Sequence, residues 1–281
     1  MPPVALLLTA STSVQFGAAL AATLFDELGP AGASMLRLLF SAIVLAVAWR
    51  PAVRGLRRAD LGLAVAFGLA LGVMNFSFYE GLDRVPLGVA VTIEFLGPVS
   101  VAVALSRRRL DLLWVALALA GIVLLANPFG SGGLDPLGVA FLAVAAACWA
   151  AYIVLAQRTA GRFRGGEGLA IASVVAALIP LVPGVVQAGG ALLHPRLLVL
   201  GACVALLSSV IPYSLETDAL RRMPAHVFGV LMSLEPVVAA IAGLVVLGQR
   251  LSTTDVAAIA LVVVASTGAT WTARTVVPIE A

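Results

Sequence analysis

Ten apolar runs, nearly free of charge, set the limits on this chain: near residues 4–25, 31–49, 61–81, 86–105, 111–126, 137–157, 169–186, 197–217, 224–247 and 253–272. Each approaches the roughly 20 residues that a helix needs to cross the hydrocarbon core of a bilayer. Together they take about 200 residues at that length, so the rest of the 281 residues forms only short connections. A separate soluble catalytic module has no room. The chain is 62% hydrophobic and 11% charged, with a mean hydropathy of +1.10, whereas a soluble domain is about a quarter charged. Such a chain cannot clothe a globule in polar surface. A water-soluble enzyme and a nucleic-acid binder are excluded, and the fold class read is an all-α polytopic membrane protein with ten transmembrane helices.

The connections carry the orientation. RPAVRGLRRAD at 50–60, SRRRLD at 106–111, NPFGSGGLDP at 127–136 and QRTAGRFRGGEG at 157–168 punctuate the runs, and every one of the 17 basic residues is Arg. With the N-terminus inside, 13 arginines fall on inner connections and the C-terminal tail, against three on the outer side: Arg84, Arg196 and Arg250. The positive-inside rule then puts both termini in the cytoplasm. The first run has no basic segment before it and continues past signal-peptide length, so it reads as a retained helix. Cys148 and Cys203 sit inside apolar runs and read as packed thiols. Small residues four apart, Gly68 with Gly72 and Ala239 with Gly243, suit close helix approach in lipid.

An internal repeat follows. VPLGVAVTIEFLGPV at 85–99 aligns with MPAHVFGVLMSLEPV at 223–237, placing Pro86 on Pro224, Pro98 on Pro236, Arg84 on Arg222 and Leu82 on Leu220. RRLDLLWVALA at 108–118 continues against QRLSTTDVAAI at 249–259 after a short gap. The expected organisation is two five-helix units, residues 1–130 and 131–281. Five spans per unit is an odd number, so the second unit is inserted upside down. Inverted repeats are a device of secondary transporters, in which similar halves exchange conformations around a central site.

The stretches SVQFGAALAATLF at 13–25, MLRLLF at 35–40, MNFSFYEGLDRVPLGVAVTIEFLGPV at 74–99, CWAAYIVLAQR at 148–158, PYSLETDALRRMP at 212–224 and FGVLMSLEP at 228–236 cover both units in order. They resemble the drug/metabolite transporter superfamily, EamA type, and within it the threonine/homoserine exporter branch. That resemblance implies ten helices around a central cavity and export of small amino acids across the bacterial inner membrane. It departs at the end of the ninth run. There the family commonly has an acidic residue, and this chain has Gln249 followed by Arg250.

Polar groups at membrane depth are the candidate site. Glu94 lies eight residues after Pro86 and Glu235 eleven after Pro224, depths of about 12 and about 16 Å at 1.5 Å per residue. Both are near the midplane, where a carboxylate costs roughly 3 kcal/mol and is usually functional. Each suits the ammonium of a zwitterionic substrate or a proton carried during the cycle; a structural pair with Arg37 or a hydroxyl is the other reading. Pro98 and Pro236 free the carbonyls of Glu94 and Met232, at a hinge or kink. Three roles are open to Arg37: snorkelling outward, neutralising a glutamate, or contacting a substrate carboxylate. Gln15 in the first run suits substrate contact or an interhelical bond. Asn75, Phe78 and Tyr79, and Trp149 with Tyr152, read as cavity wall or as interfacial anchors, while Tyr213 reads more as an anchor and Glu216 as an interfacial charge.

The function expected is secondary active export of small amino acids resembling threonine or homoserine, without covalent chemistry. Aromatic or other amino acids are the alternative within the same superfamily. No GxxxxGK[ST] loop is present to bind ATP, so substrate gradient, membrane potential or ion exchange must drive the cycle, with protons the candidate coupling ion. An intramembrane enzyme is disfavoured, since His194 and His226 are the only histidines and no metal-ligand spacing occurs. A channel is disfavoured too, for want of a filter repeat or charged ring. No cofactor and no metal are expected; the expected surroundings are the lipid bilayer, with a monomer or weak dimer as the assembly.

Overall fold

The computed structural model describes residues 1–51, 55–105, 110–126, 134–222 and 231–272, and every regular element among them is helical. The chain runs α1 (Pro3–Ala22), α2 (Phe25–Trp49), α3 (Arg58–Leu82), α4 (Leu87–Glu94), α5 (Leu96–Leu105), α6 (Leu110–Ala126) and α7 (Pro136–Ala160). It continues through α8 (Glu167–Leu178), α9 (Leu181–Ala188), α10 (Pro195–Ala205), α11 (Ile211–Arg222), α12 (Glu235–Leu247) and α13 (Thr253–Thr272). Among the described residues, four unbroken helices, α1, α2, α3 and α7, are long and apolar enough to cross a membrane, and α8 with the segment Leu181–Leu193 makes a fifth such span bent by 46°.

Several runs expected as continuous helices are broken, and proline explains most of the breaks. The fourth run divides at Phe95 into α4 and α5, three residues before Pro98, whose missing N–H leaves the Glu94 carbonyl without its helical partner. The seventh divides at Pro180, with Pro183 just beyond. The eighth passes from α10 through a π turn, Leu206–Val210, into α11, where Pro212 is the second residue. The ninth is described from Leu231, and α12 begins one residue before Pro236. The segments 52–54, 106–109 and 127–133, the first part of the ninth run at 223–230, and the tail from 273 lie outside the described residues.

The surface is inverted relative to a soluble protein. Leu39, Ile43 and Val47 on α2, Val182 and Val186 on α9, and Leu244 and Val245 on α12 are exposed, while Ser11, Gln15, Asn75, Glu94 and Glu235 are buried. Lipid is the solvent that fits such an exterior. Without a hydrophobic drive between helices, close van der Waals contact must hold them together. Gly68 and Gly72 provide it as their spacing suggests, because a Cβ at Gly68 would collide with Ala172 and Val175 of α8, and one at Gly72 with Ala176 of α8 and Ile179 just after it. Beyond α3 on α8, α3 packs on α7, α1 on α11 and α12, α2 on α8, α9 and α10, α4 on α12, α5 on α7, and α6 on α13.

The two ends differ. One is rich in arginine: Arg50, Arg57, Arg58, Arg158, Arg162 and Arg164 border it, and Arg162 pairs with Asp60 at 2.9 Å. The other is arginine-poor and closed by a dense apolar cluster including Leu24, Leu28, Leu82, Val85 and Leu87, none more than 5% exposed. Two glutamines tighten this end. Gln187 Oε1 accepts from the Ala31 N–H at 2.8 Å, just inside the helix start made by Gly29 (φ 68°) and Pro30. Gln249 Oε1 accepts from the Leu87 N–H at 2.9 Å, the first amide of α4. The residue that departs from the family pattern is thus a helix cap.

Candidate functional site

A cavity of about 610 Å³ lies between the broken helices. Its walls are helix stripes with the three-and-four spacing of one face. From α4 and α5 come Val91, Glu94, Phe95, Pro98 and Val99; from α7, Trp149, Tyr152, Ile153, Ala156 and Gln157. The α7 stripe runs from Trp149 over nine residues, about 12 Å, and reaches exposed Gln157 beside Arg158 at the arginine-rich end. Toward the other end the wall is Val14, Gln15 and Ala18 of α1 with Met74, Asn75 and Phe78 of α3. The cavity is thus sealed by the apolar cluster on one side and reaches the arginine-rich end on the other.

Most of the sequence candidates meet here. Gln15, Arg37, Asn75, Phe78, Glu94, Pro98, Trp149, Tyr152 and Glu235 all line the cavity. Glu94 is 8% exposed and Glu235 4%. Ser11 Oγ donates to Glu235 Oε1 at 3.4 Å, and Asn75 Nδ2 donates to its own helix at the Leu71 carbonyl, 2.8 Å. Trp149 stands edge-on to Phe95 with ring centroids 5.2 Å apart, and Tyr152 tilts against Phe67 at 5.3 Å.

Other candidates are placed differently. Tyr79 is fully buried behind the wall, packed on Phe25 and Phe78. Its ring and hydroxyl serve Arg37, which lies 5.6 Å over the ring and donates from Nη1 to the phenol oxygen at 3.4 Å. Arg37 Nη2 donates to the Ser208 carbonyl at 3.1 Å. The guanidinium is therefore turned into the protein rather than toward the membrane surface, and none of the ion pairs among the described residues includes it. Pro236 is buried at the head of α12, off the cavity wall. The side chain of Tyr213 lies outside the described residues.

Glu216, expected at the interface, lines the cavity, as do Ser208, Pro212 and Met232. One signal in the sequence links most of these. Pro98, Pro212 and Pro236 each follow by four residues a cavity-lining residue, Glu94, Ser208 and Met232, so each withdraws the helical donor from a carbonyl at the site. Among the described residues, the lining sets three carboxylates and one guanidinium in a space with four aromatic side chains. It offers a positive and a negative partner to one small zwitterion.

Comparison with known proteins agrees with this architecture. The EamA-like transporter family matches residues 136–271. Over 275 residues the chain is 43% identical to the Threonine/homoserine exporter RhtA of Salmonella typhimurium (strain SL1344), and 42% identical to that of Escherichia coli (strain K12). Each match covers 97% of this chain and 92% of the relative. A protein of known crystal structure, 19% identical, superposes with a TM-score of 0.64 over 96% of this chain and 98% of its own, a likeness of fold alone.

Proposed function

This chain belongs to the EamA-like transporter family and is a multi-pass membrane protein, and on that premise we propose that it exports small amino acids, threonine and homoserine first, by alternating access. The observation that carries this reading is the cavity sealed at one end and lined by both charges. Its volume falls in the range of roughly 300–1,000 Å³ usual for small-molecule sites. Glu94 takes the substrate ammonium, Arg37 supplies the cation found on the wall among the described residues, and Phe78, Phe95, Trp149 and Tyr152 hold the side chain. Threonine and homoserine are also what the named relatives export.

The rocking units are residues 1–130 and 131–281, related by inversion. Helix pairing supports this. α3 on α7 recurs as α11 on α1, α3 on α8 as α10 on α2, and α5 on α7 as α12 on α1. Each pair becomes the other when five spans are added. Pro98 and Pro236 stand 138 residues apart, and so do Trp49 and Gln187. Trp49 packs on Gly165 and Gly166 at the start of α8, while Gln187 bonds near the start of α2. The membrane is the bacterial inner membrane, both termini are cytoplasmic, and the cavity then opens inward, the state in which an exporter loads. Glu94 or Glu235 carries a proton in the opposite direction.

Proteoliposomes holding the purified protein test this with labelled threonine, homoserine, methionine, phenylalanine and glutamate. Saturable threonine uptake, competed by homoserine, is expected. Preference for phenylalanine moves the substrate to aromatic amino acids, the second reading, which the aromatic wall favours. Uptake indifferent to an imposed pH gradient removes proton coupling.

A further inference from the structure

Four helix ends meet at the arginine-rich end of the molecule: α2 and α7 finish there, and α3 and α8 begin. Three contacts fix the segment 161–166 that joins α7 to α8. Phe163 is buried with Ala64 of α3 and Ile171 of α8, and Leu56 packs on them. Arg162 reaches Asp60 in the first turn of α3, Nη1 to Oδ1 at 2.9 Å. The indole of Trp49, the last residue of α2, lies along Gly165 and Gly166, where a Cβ at either would collide with it. With Phe163 turned inward, Arg162 and Arg164 on either side of it are exposed.

The same contacts gather the arginines. Arg50 follows Trp49 and Arg164 precedes Gly165, so the Trp49–Gly165 contact brings these two together. Arg57 and Arg58 stand just before Asp60, and Arg158 four residues before Arg162. All six are exposed, yet among the described residues only Arg162 of the six is in an ion pair. Beside them are two carboxylates: Asp60, taken by Arg162, and Glu167 at the head of α8. Neither α3 nor α8 has a side-chain cap, so two helix dipoles add their positive ends. Such a surface calls for an anion, and guanidinium forks match the oxygens of a phosphate.

The flank of α2 says where that phosphate comes from. Leu39, Ile43 and Val47 are exposed and four residues apart, and Arg50 is three further on, so one stripe passes from apolar to cationic. From Leu39 to Arg50 it rises about 16 Å, close to one leaflet of a hydrocarbon core about 30 Å thick. Trp49, 47% exposed, stands at the top of the stripe, the depth of lipid headgroups that tryptophan favours. A soluble phosphate would have no use for the apolar part.

We propose that this end of the molecule binds an anionic phospholipid, its phosphate held by Arg50 and Arg164 beside Trp49 and its acyl chain laid along Leu39, Ile43 and Val47. Arg57, Arg58 and Arg158 raise the attraction without needing to touch it. The site joins α2 to the α7–α8 segment, from the first and second halves of the sequence, and it stands whatever the cavity carries.

Thermal unfolding of the full-length protein in phosphatidylcholine nanodiscs, with rising fractions of phosphatidylglycerol, tests it. A lipid that binds the folded state raises the melting temperature until its site is full. Wild type is expected to show such a saturating rise. The fraction giving half the rise should increase about 5-fold for Arg50→Gln or Arg164→Gln and about 25-fold for both. In phosphatidylcholine alone all three variants should melt as wild type does, since neither arginine is in an ion pair among the described residues. Arg196→Gln, at the opposite end, should leave the response to phosphatidylglycerol intact. No rise, or a rise unchanged in the double variant, overturns the site. A rise that never saturates, or that Arg196→Gln weakens as much, is diffuse charge and overturns it too. If free glycerol phosphate reproduces the rise, the ligand is a soluble phosphate and the lipid assignment fails.

Discussion

The fourth and ninth spans reach the cavity from opposite halves of the sequence, each broken beside an aligned proline, yet their glutamates stand on opposite sides of the break. Glu94 is the last residue of α4, before the interruption at Phe95. Glu235 is the first residue of α12, after it. The helix dipole therefore works against a negative charge at Glu94 and in favour of one at Glu235, by about 0.3–1 kcal/mol at exposed helix ends and up to ~2 where partly buried. Ser11 adds a donor to Glu235, while among the described residues no side chain donates to Glu94. The repeat thus accounts for the kink, and the placing of one residue accounts for the chemistry. Glu235 has a donor within the protein, and among the described residues Glu94 has none.

The largest expected effect tests that contrast directly. Glu94→Gln should lower kcat/KM for threonine counterflow by about 100-fold, near 3 kcal/mol for a lost charge-assisted bond. Glu235→Gln should lower it by about 10-fold, since Ser11 rather than substrate is its partner. Equal losses would erase the asymmetry.

Pro98→Ala comes next. It returns an N–H to the Glu94 carbonyl and straightens α4 into α5, so turnover should fall about 10-fold with melting temperature raised or unchanged. Pro236→Ala, whose freed carbonyl belongs to Met232, should cost only a few-fold, as an order-of-magnitude expectation. Measured turnover that ranks the two prolines the other way would shift the working hinge to the ninth span.

A smaller effect sharpens the same comparison. Ser11→Ala should reduce transport about 3-fold alone and have no further effect in Glu235→Gln, the outcome of a double-mutant cycle between bonded partners. Additive losses would mean that Ser11 acts elsewhere. Smallest of all, Gln249→Ala removes the cap of α4 and should lower stability by about 1 kcal/mol, seen as a few degrees in thermal unfolding.

Much of this was legible in the sequence because membrane insertion penalises polar groups one at a time. Glu94, Glu235, Asn75 and Gln15 stand out against apolar neighbours, and all four line the cavity. The prolines at 98 and 236 likewise marked real breaks. What stayed hidden depends on which helix faces which. Tyr79 has the period of a lining residue but faces Phe25 and Arg37 behind the wall. Glu216, near a span end, looks interfacial until α11 is seen to border the cavity. Ser208 is an ordinary residue in an apolar run, and only Pro212 four positions on hinted at its free carbonyl. The π turn that presents it has no sequence signature of its own.

The two glutamine caps at the arginine-poor end carry a consequence for timing. Opening that end requires the Ala31 and Leu87 amides to give up Gln187 and Gln249. Each is a neutral hydrogen bond with a net value of about 1 kcal/mol, so the pair slows opening by roughly 30-fold. A pair of ion bridges in the same place would loosen as external salt rose. Amide bonds carry no net charge to screen. On the proposed cycle, the pace of opening at that end is therefore expected not to change with ionic strength.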